Sequence, residues 1–567
     1  MDHPSTHNKE GAKSVNSINT PDIGHDDALG SEELRGDAIE ISKYSKALIT
    51  SWLENHTKVT LSPNKISVSQ TVSLIAFLYE KMRNAVEFRE EHLIKRATIE
   101  RIIKRRMLLN ENGRDIAEVL IKELLWARYY ENNTIGEEKI PEVQGIIDKY
   151  FFIRNEISAG RSSKEQERIG QFILEVLSCE IEELLSPDHR REAFTNYVYQ
   201  IIRPQIAPVN NNVKDRDILV YVAVERAFAH SDNPLISYHL LKLVIPEITR
   251  VSWKTADNVI PQFYASYQEI TKSLRNEYSD KIFRYVKKQM PPFFIMRDIF
   301  NKASRSIESI LTDEAKLKDK VDEACRKRYE ETKDRLRRTG IRSFIYIVLT
   351  KVLFAFLIEF PYDKYIVQSV SYIPLGINII FPPVLMGVII LSVRIPGDEN
   401  TKKIFQLIKG IIANDPSDAE TRPTLILNQR IRVKSPLFTT LFTLIYLFTY
   451  LVSFGTIIYV LTLLKFSVVS QGIFIFFVTL VTFFAFRVVS ITKEYLVIEN
   501  ESAFTPVIDF FSIPVMRVGQ ILSDEVLTKF NILIFFFDFI IEMPLKAIVE
   551  VIDEWARFVR LKKEEIV

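Results

Sequence analysis

The chain has 567 residues and a formal net charge of only +2, from 74 Lys and Arg against 72 Asp and Glu, so no global field marks it for nucleic acid. Its two cysteines, Cys179 and Cys325, stand far apart with no CxxC spacing, which excludes a disulfide framework and fits a reducing compartment. The average composition conceals two unlike halves: charged residues abound up to about Gly340, and long runs of Ile, Leu, Val and Phe follow from Ile341.

Residues 1–36 lack large apolar residues and periodicity, so they read as a disordered tail with no secretory signal, starting in the cytoplasm. From 37 to 206 the pattern is helical throughout, as in Ile39, Ile41, Tyr44, Leu48 and Trp52, or Val72, Ile75, Tyr79 and Met82. Two prolines and three asparagines between Arg203 and Asp217 break that pattern and set a boundary before a second helical subdomain, 207–310. No glycine occurs between Gly170 and Gly340, so the usual phosphate-cradling loops cannot form there. Residues 311–342 carry Glu314 with Lys318 and Glu331 with Arg335 at four-residue spacing, the mark of a solvated helix, here a charged stalk leading into a membrane.

The region 343–493 reads as membrane. A bilayer core takes about 20 mostly apolar residues in helix, and the candidates are 343–360, which is slightly short, 375–393, 437–464 and 473–491. Arg335, Arg337, Arg338 and Arg342 precede the first run, eight Lys and Arg lie between the second and third, and Arg487 and Lys493 close the fourth. Only Lys364 and Lys465 occupy the opposite loops, which puts both termini in the cytoplasm. Between the second and third runs, 401–413 has an apolar stripe opposite Lys402, Lys403 and Lys409, the pattern of an amphipathic helix on a membrane surface with its lysines on anionic headgroups. The remainder, 494–567, is assigned to the cytoplasm and interface, with a re-entrant or interfacial segment at 530–541 and an amphipathic helix at 545–560. Ile358-Glu359-Phe360-Pro361 and Ile541-Glu542-Met543-Pro544 end two apolar runs alike, so each proline is expected to start a new helix at a corner.

Ionisable groups at membrane depth are costly and therefore candidates for function. Lys351 and Asp538 are expected to pair across the bundle or serve an ion pathway, and Glu359 and Glu542 to snorkel to water from segment ends. Asn378 with Pro382 and Pro383 is expected to unwind its helix and free backbone carbonyls. A basic cluster at Lys95, Arg96, Arg101, Lys104, Arg105 and Arg106 reads first as a solvated face and second as a headgroup contact. No HExxH, GxSxG, P-loop or paired CxxC is present, and His230 and His239 lack ligand-type spacing, so neither enzyme chemistry nor a cofactor is expected.

The reading is an all-α protein: a large cytoplasmic helical domain followed by a polytopic α-helical membrane domain of about four spans, with interfacial amphipathic helices. Because well over half the chain is cytoplasmic, the expected function is a membrane-anchored scaffold that binds a protein partner on that side. The alternative is an ion or small-solute transporter or channel gated by the cytoplasmic domain. A homo-oligomer is compatible with either, and nucleic acid is not an expected partner.

Overall fold

The computed structural model describes residues 38–54, 64–86, 91–109, 115–208, 212–366, 368, 372–393, 395–413, 425–426, 436–490, 492–497 and 510–522, together with 551, 555, 558, 559 and 562. Every regular element among them is a helix, joined by isolated bridges such as Ala38 with Asp313 and Ile206 with Leu425. The tail at 1–36, Asp538, Glu542, the segment 530–541 and most of 545–560 lie outside the described residues.

The periodic apolar residues of the first half build two cores, and the chain passes between them more than once. One holds Ile99, Ile102, Leu120, Ile147, Tyr150 and Ile173 with Leu241 and Phe263. The other gathers Leu48, Trp52, Phe194, Val220, Phe228, Phe293 and Phe300. The boundary expected near 206 therefore falls inside the second core, where Ile206 is fully buried and Arg203 grips Asp217 at 2.8 Å. The helix breakers made a turn there, and apolar contact rather than turn chemistry divides the cores.

Among the described residues, four helices are long and apolar enough to cross a membrane. The first, Glu314–Tyr365, runs 52 residues without interruption, so the expected stalk and first span are one rod. Its opening turns are no free stalk: Leu317, Val321, Ala324 and Cys325 sit in the second core. The second apolar helix is Tyr372–Leu391, the third Pro436–Leu463 and the fourth Val468–Ser490. Their outward residues are apolar and bare, with Leu349 68%, Phe356 70%, Leu391 87% and Leu451 68% exposed. Lys351, Glu359, Asn378, Ser453 and Thr479 meanwhile face inward, the inverse of a water-soluble bundle and the pattern lipid selects.

The helix Asp398–Ala413 departs from expectation. Its apolar face, Ile404, Ile408 and Ile412, is fully buried in the second core, and Lys409 binds Glu314. Each such isoleucine gains about 1.5–3 kcal/mol by burial, so the stripe belongs to the helical domain and is not available to a membrane surface. Beyond the fourth apolar helix, Tyr495 enters the same core and its carbonyl accepts from Asn400 Nδ2 at 2.8 Å. Three connections thus tie the apolar bundle to one core: the long rod, this strap helix and the exit of the fourth apolar helix.

A further helix, Phe510–Leu522, packs on the fourth apolar helix within the bundle. A Cβ on Gly519 would lie 2.2 Å from the Thr479 carbonyl oxygen, so the two backbones touch there. The expected assignment of everything after 493 to the cytoplasm and interface does not hold for these residues. Their run is too short to register as a span, and Pro514 interrupts its pattern.

Candidate functional site

On the long rod, Ile347, Lys351, Ala355, Glu359 and Asp363 are all buried and fall at four-residue steps, while Leu349, Leu353, Phe356 and Leu357 face outward. In an α-helix each four-residue step overshoots a full turn by about 40°, so such a stripe should drift off the face. It does not, because residues Ala355–Glu359 form a π-turn in which Phe360 N–H donates to Ala355 O. That wider turn rotates the stripe back and accommodates the Pro361 ring, which has no N–H to give. The proline corner expected at Glu359-Phe360-Pro361 is therefore absent; the rod continues through it.

Lys351 and Glu359 are both 0% exposed. Glu359 does not snorkel to water: two turns inside the rod's end, its Oε1 accepts from Asn378 Nδ2 at 2.6 Å. The same amide nitrogen reaches the Ser470 carbonyl oxygen at 3.3 Å. The Lys351 ammonium stands 4.5 Å from the Phe477 ring centroid and, among the described residues, has no hydrogen-bond partner and Glu359 as the charge whose field it feels. Glu359 Oε2, Asn378 Oδ1, Asp363 Oδ1 and Ser453 Oγ are likewise buried without partners among the described residues. Buried polar atoms are normally satisfied; the helical domain has exceptions too, such as Trp126 Nε1 and Thr195 Oγ1, but in the bundle these atoms sit among apolar helices.

Helix Tyr372–Leu391 keeps its helical form through Pro382 and Pro383, which corrects the expectation of an unwound segment. The prolines nonetheless remove the N–H groups that would answer the Asn378 and Ile379 carbonyls four residues back. Lys351, Glu359, Asn378 and the two prolines are thus legible in the sequence; Asp538, expected to pair with Lys351 or to serve an ion pathway with it, lies outside the described residues. Asp363, Ser453 and Ser470 were missed, although the i+4 relation of Glu359 to Asp363 was a signal available in the sequence.

Between the polar cluster and the helical domain lies an apolar layer of Leu336, Ile347, Met386, Val481, Ala485 and Val488. A Cβ on Gly340 would meet Ile390 Cδ1 at 2.9 Å, so rod and second helix are close there. A second apolar layer, Leu461, Phe466, Phe474, Val478 and Val515, packs the third and fourth helices toward the other end. The polar cluster is thereby closed off on the side facing the domain.

The basic cluster is resolved differently from either expectation. Arg96 is 2% exposed and holds Glu100 at 2.6 Å and Asp232 at 2.8 Å. Burial alone would discourage its charge, but Asp232 and Glu100 outweigh burial and keep the guanidinium more firmly protonated than usual. Arg101 holds Glu80 at 2.6 Å, Arg105 and Arg106 both hold Glu123, and Lys95 lies 4.8 Å from the Tyr130 ring centroid. Of the six only Lys104 is exposed, so the set cross-links helices and is not presented to headgroups or phosphates. In the strap helix, Lys402 and Lys403 are exposed.

One open cleft of about 570 Å³ lies in the helical domain, lined by Lys149, Glu180, His189, Tyr238, Lys242 and Trp253. Lys149 there donates to Glu180 at 2.6 Å and to the Ile248 carbonyl at 2.8 Å, so its charge is internally answered. Among the described residues no three His, Cys, Asp or Glu side chains converge as metal ligands. Compared with family models, characterised proteins and solved structures, the chain matches none.

Proposed function

We propose that this chain is an integral membrane protein that moves an ion or small solute along the buried stripe of its long rod, gated by the helical domain on the cytoplasmic side. One observation carries the reading: Lys351, Glu359 and Asn378 are fully buried among apolar helices with polar atoms left unanswered. Such groups cost stability in a bundle, by several kcal/mol for an ill-paired buried charge, so packing does not account for them. The rod, the strap helix and the exit of the fourth apolar helix all enter one core, so a shift of the domain would reach both sides of the apolar layer around Met386. Orientation rests on the arginines ahead of the first span.

Flux into proteoliposomes from a panel of protons, alkali cations, chloride and small zwitterions tests the reading. A conducted species whose flux falls on Asn378→Leu supports it, and a wild-type protein impermeable to all of them refutes it. The scaffold reading, preferred on chain length alone, draws on the cleft beside the half-exposed Trp253; a stoichiometric companion lost on Trp253→Ala would favour it.

A further inference from the structure

We propose that the species carried is the proton, passed from Asp363 to Glu359, with Lys351 as the fixed countercharge beneath them; this deepens the transport reading and rests on it.

The carboxylate's surroundings decide between a proton and a metal cation. Glu359 Oε1 is occupied by an N–H donor, the Asn378 amide at 2.6 Å, which would face a metal ion with positive charge. Only Oε2 is open. One open carboxylate oxygen is enough for a proton, whereas hard cations gather about six oxygens around themselves. A proton also needs no chamber in a cluster whose three principal side chains are fully buried. The step balances simply: the Asp363 carboxyl gives its proton to the Glu359 carboxylate, one O–H bond breaking as another forms, and no electrons are transferred.

Geometry supplies the order. Asp363 is one helical turn beyond Glu359 on the same face, a separation of about 6 Å along the axis. It is 7% exposed, has Oδ1 unanswered, and adjoins the exposed Lys364 at the rod's far end, which makes it the entry. Lys351 lies about 12 Å below Glu359 by the same rise, against Phe477 and above the apolar layer that closes the domain side. While Glu359 is ionised the pair sums to zero charge; when Glu359 is protonated the ammonium stands alone, and this change of local charge is what a gate at the Met386 layer would sense. Among the described residues, the elements packed on this stripe add no further charge nearby. The second helix has none between Tyr372 and Leu391, the third none between Pro436 and Leu463, and the fourth only Arg487 at the domain end. The short helix Phe510–Leu522 contributes Arg517, which holds Gln520 at 2.7 Å.

The full chain in proteoliposomes, with a pH-sensitive dye inside and a valinomycin-clamped potassium potential, tests this, with radiolabelled Na⁺ uptake run in parallel. Proton entry in the wild type is expected, falling at least tenfold in Glu359→Gln; in Asp363→Asn entry slows and its pH profile shifts, while the turnover limit at low external pH is retained. Infrared difference spectra of the folded protein should show a carboxylic-acid band that appears on acidification and is lost in Glu359→Gln. Absence of proton flux in the wild type, or a Glu359→Gln protein that is monodisperse and still passes protons, overturns the inference. If Na⁺ or a solute moves in place of the proton, the transport reading survives without it; if nothing moves, both fall.

Discussion

Replacing Lys351 with Met isolates the energetic peculiarity of the stripe. Three terms act on this ammonium. Its attraction to Glu359, about 12 Å away by the helical rise, at an effective dielectric of about 20 is worth roughly 1.4 kcal/mol. Its position over Phe477 adds up to about 2 kcal/mol. Against these stands desolvation of several kcal/mol with no hydrogen bond to offset it. The favourable terms reach about 3.4 kcal/mol at most, so Lys351→Met should leave stability unchanged or raise it by about 1–2 kcal/mol while abolishing transport. Glu359→Leu should behave oppositely, losing about 1–3 kcal/mol, because it removes the 2.6 Å acceptor of the Asn378 amide and leaves it only the Ser470 carbonyl at 3.3 Å. Thermal unfolding in a single detergent, scored by tryptophan fluorescence, reads both. A loss of 3–5 kcal/mol for Lys351→Met, the figure for breaking a well-formed buried pair, would refute the reasoning and make Lys351 a structural residue.

The helical domain has its own pH response, set by His239 Nδ1 against Glu225 Oε1 at 2.9 Å. Burial works against the imidazolium, but Glu225 outweighs it and raises the His239 pKa above 6.5. That stabilisation is complete below pH 6.5 and fades as pH rises through the raised value; His239→Gln should flatten this alkaline decline in hydrogen exchange across 219–245. Burial likewise opposes the Glu225 charge, but His239 leads the groups that draw its pKa down to about 2, so its contribution is present above pH 4.5 and lost as pH falls toward 2. Gly519→Ala should cost about 1–3 kcal/mol by forcing backbones apart at the Thr479 carbonyl, whereas Gly340→Ala meets only the tip of Ile390 and should be nearly neutral; unfolding midpoints compare them. Native thiols are poor topology probes, since Cys179 and Cys325 are fully buried and burial pushes Cys179 well up and Cys325 up to about 11. Introduced cysteines serve: in intact cells an impermeant maleimide should label Lys364→Cys and spare Lys254→Cys, and the reverse would invert the orientation.

What the sequence disclosed, and what it hid, follows from which interactions are local. Helices and their apolar length are written in neighbouring residues, so the all-α class and four apolar helices were legible from periodicity and run length. Destinations are not. The stripe Ile404, Ile408, Ile412 has the same appearance whether it meets lipid or protein, and only the complementary surface around Phe300 and Val321 decides. The cluster from Lys95 to Arg106 looks solvated because its acidic partners, Glu80, Glu123 and Asp232, are remote in sequence. Lys351, Glu359 and Asn378 stood out as polar residues in apolar runs, but their grouping depended on the π-turn that turns Glu359 back onto the Lys351 face. Pro361 signalled a break at that point, and the chain answered by widening the turn rather than bending.

The most direct measurement is charge movement recorded from reconstituted wild-type protein beside the stably folded Lys351→Met variant, at matched orientation and density. The account predicts a current in the wild type, driven by an imposed ion gradient, and none in the variant. Equal currents in both, or none from the wild type under any gradient, would contradict it.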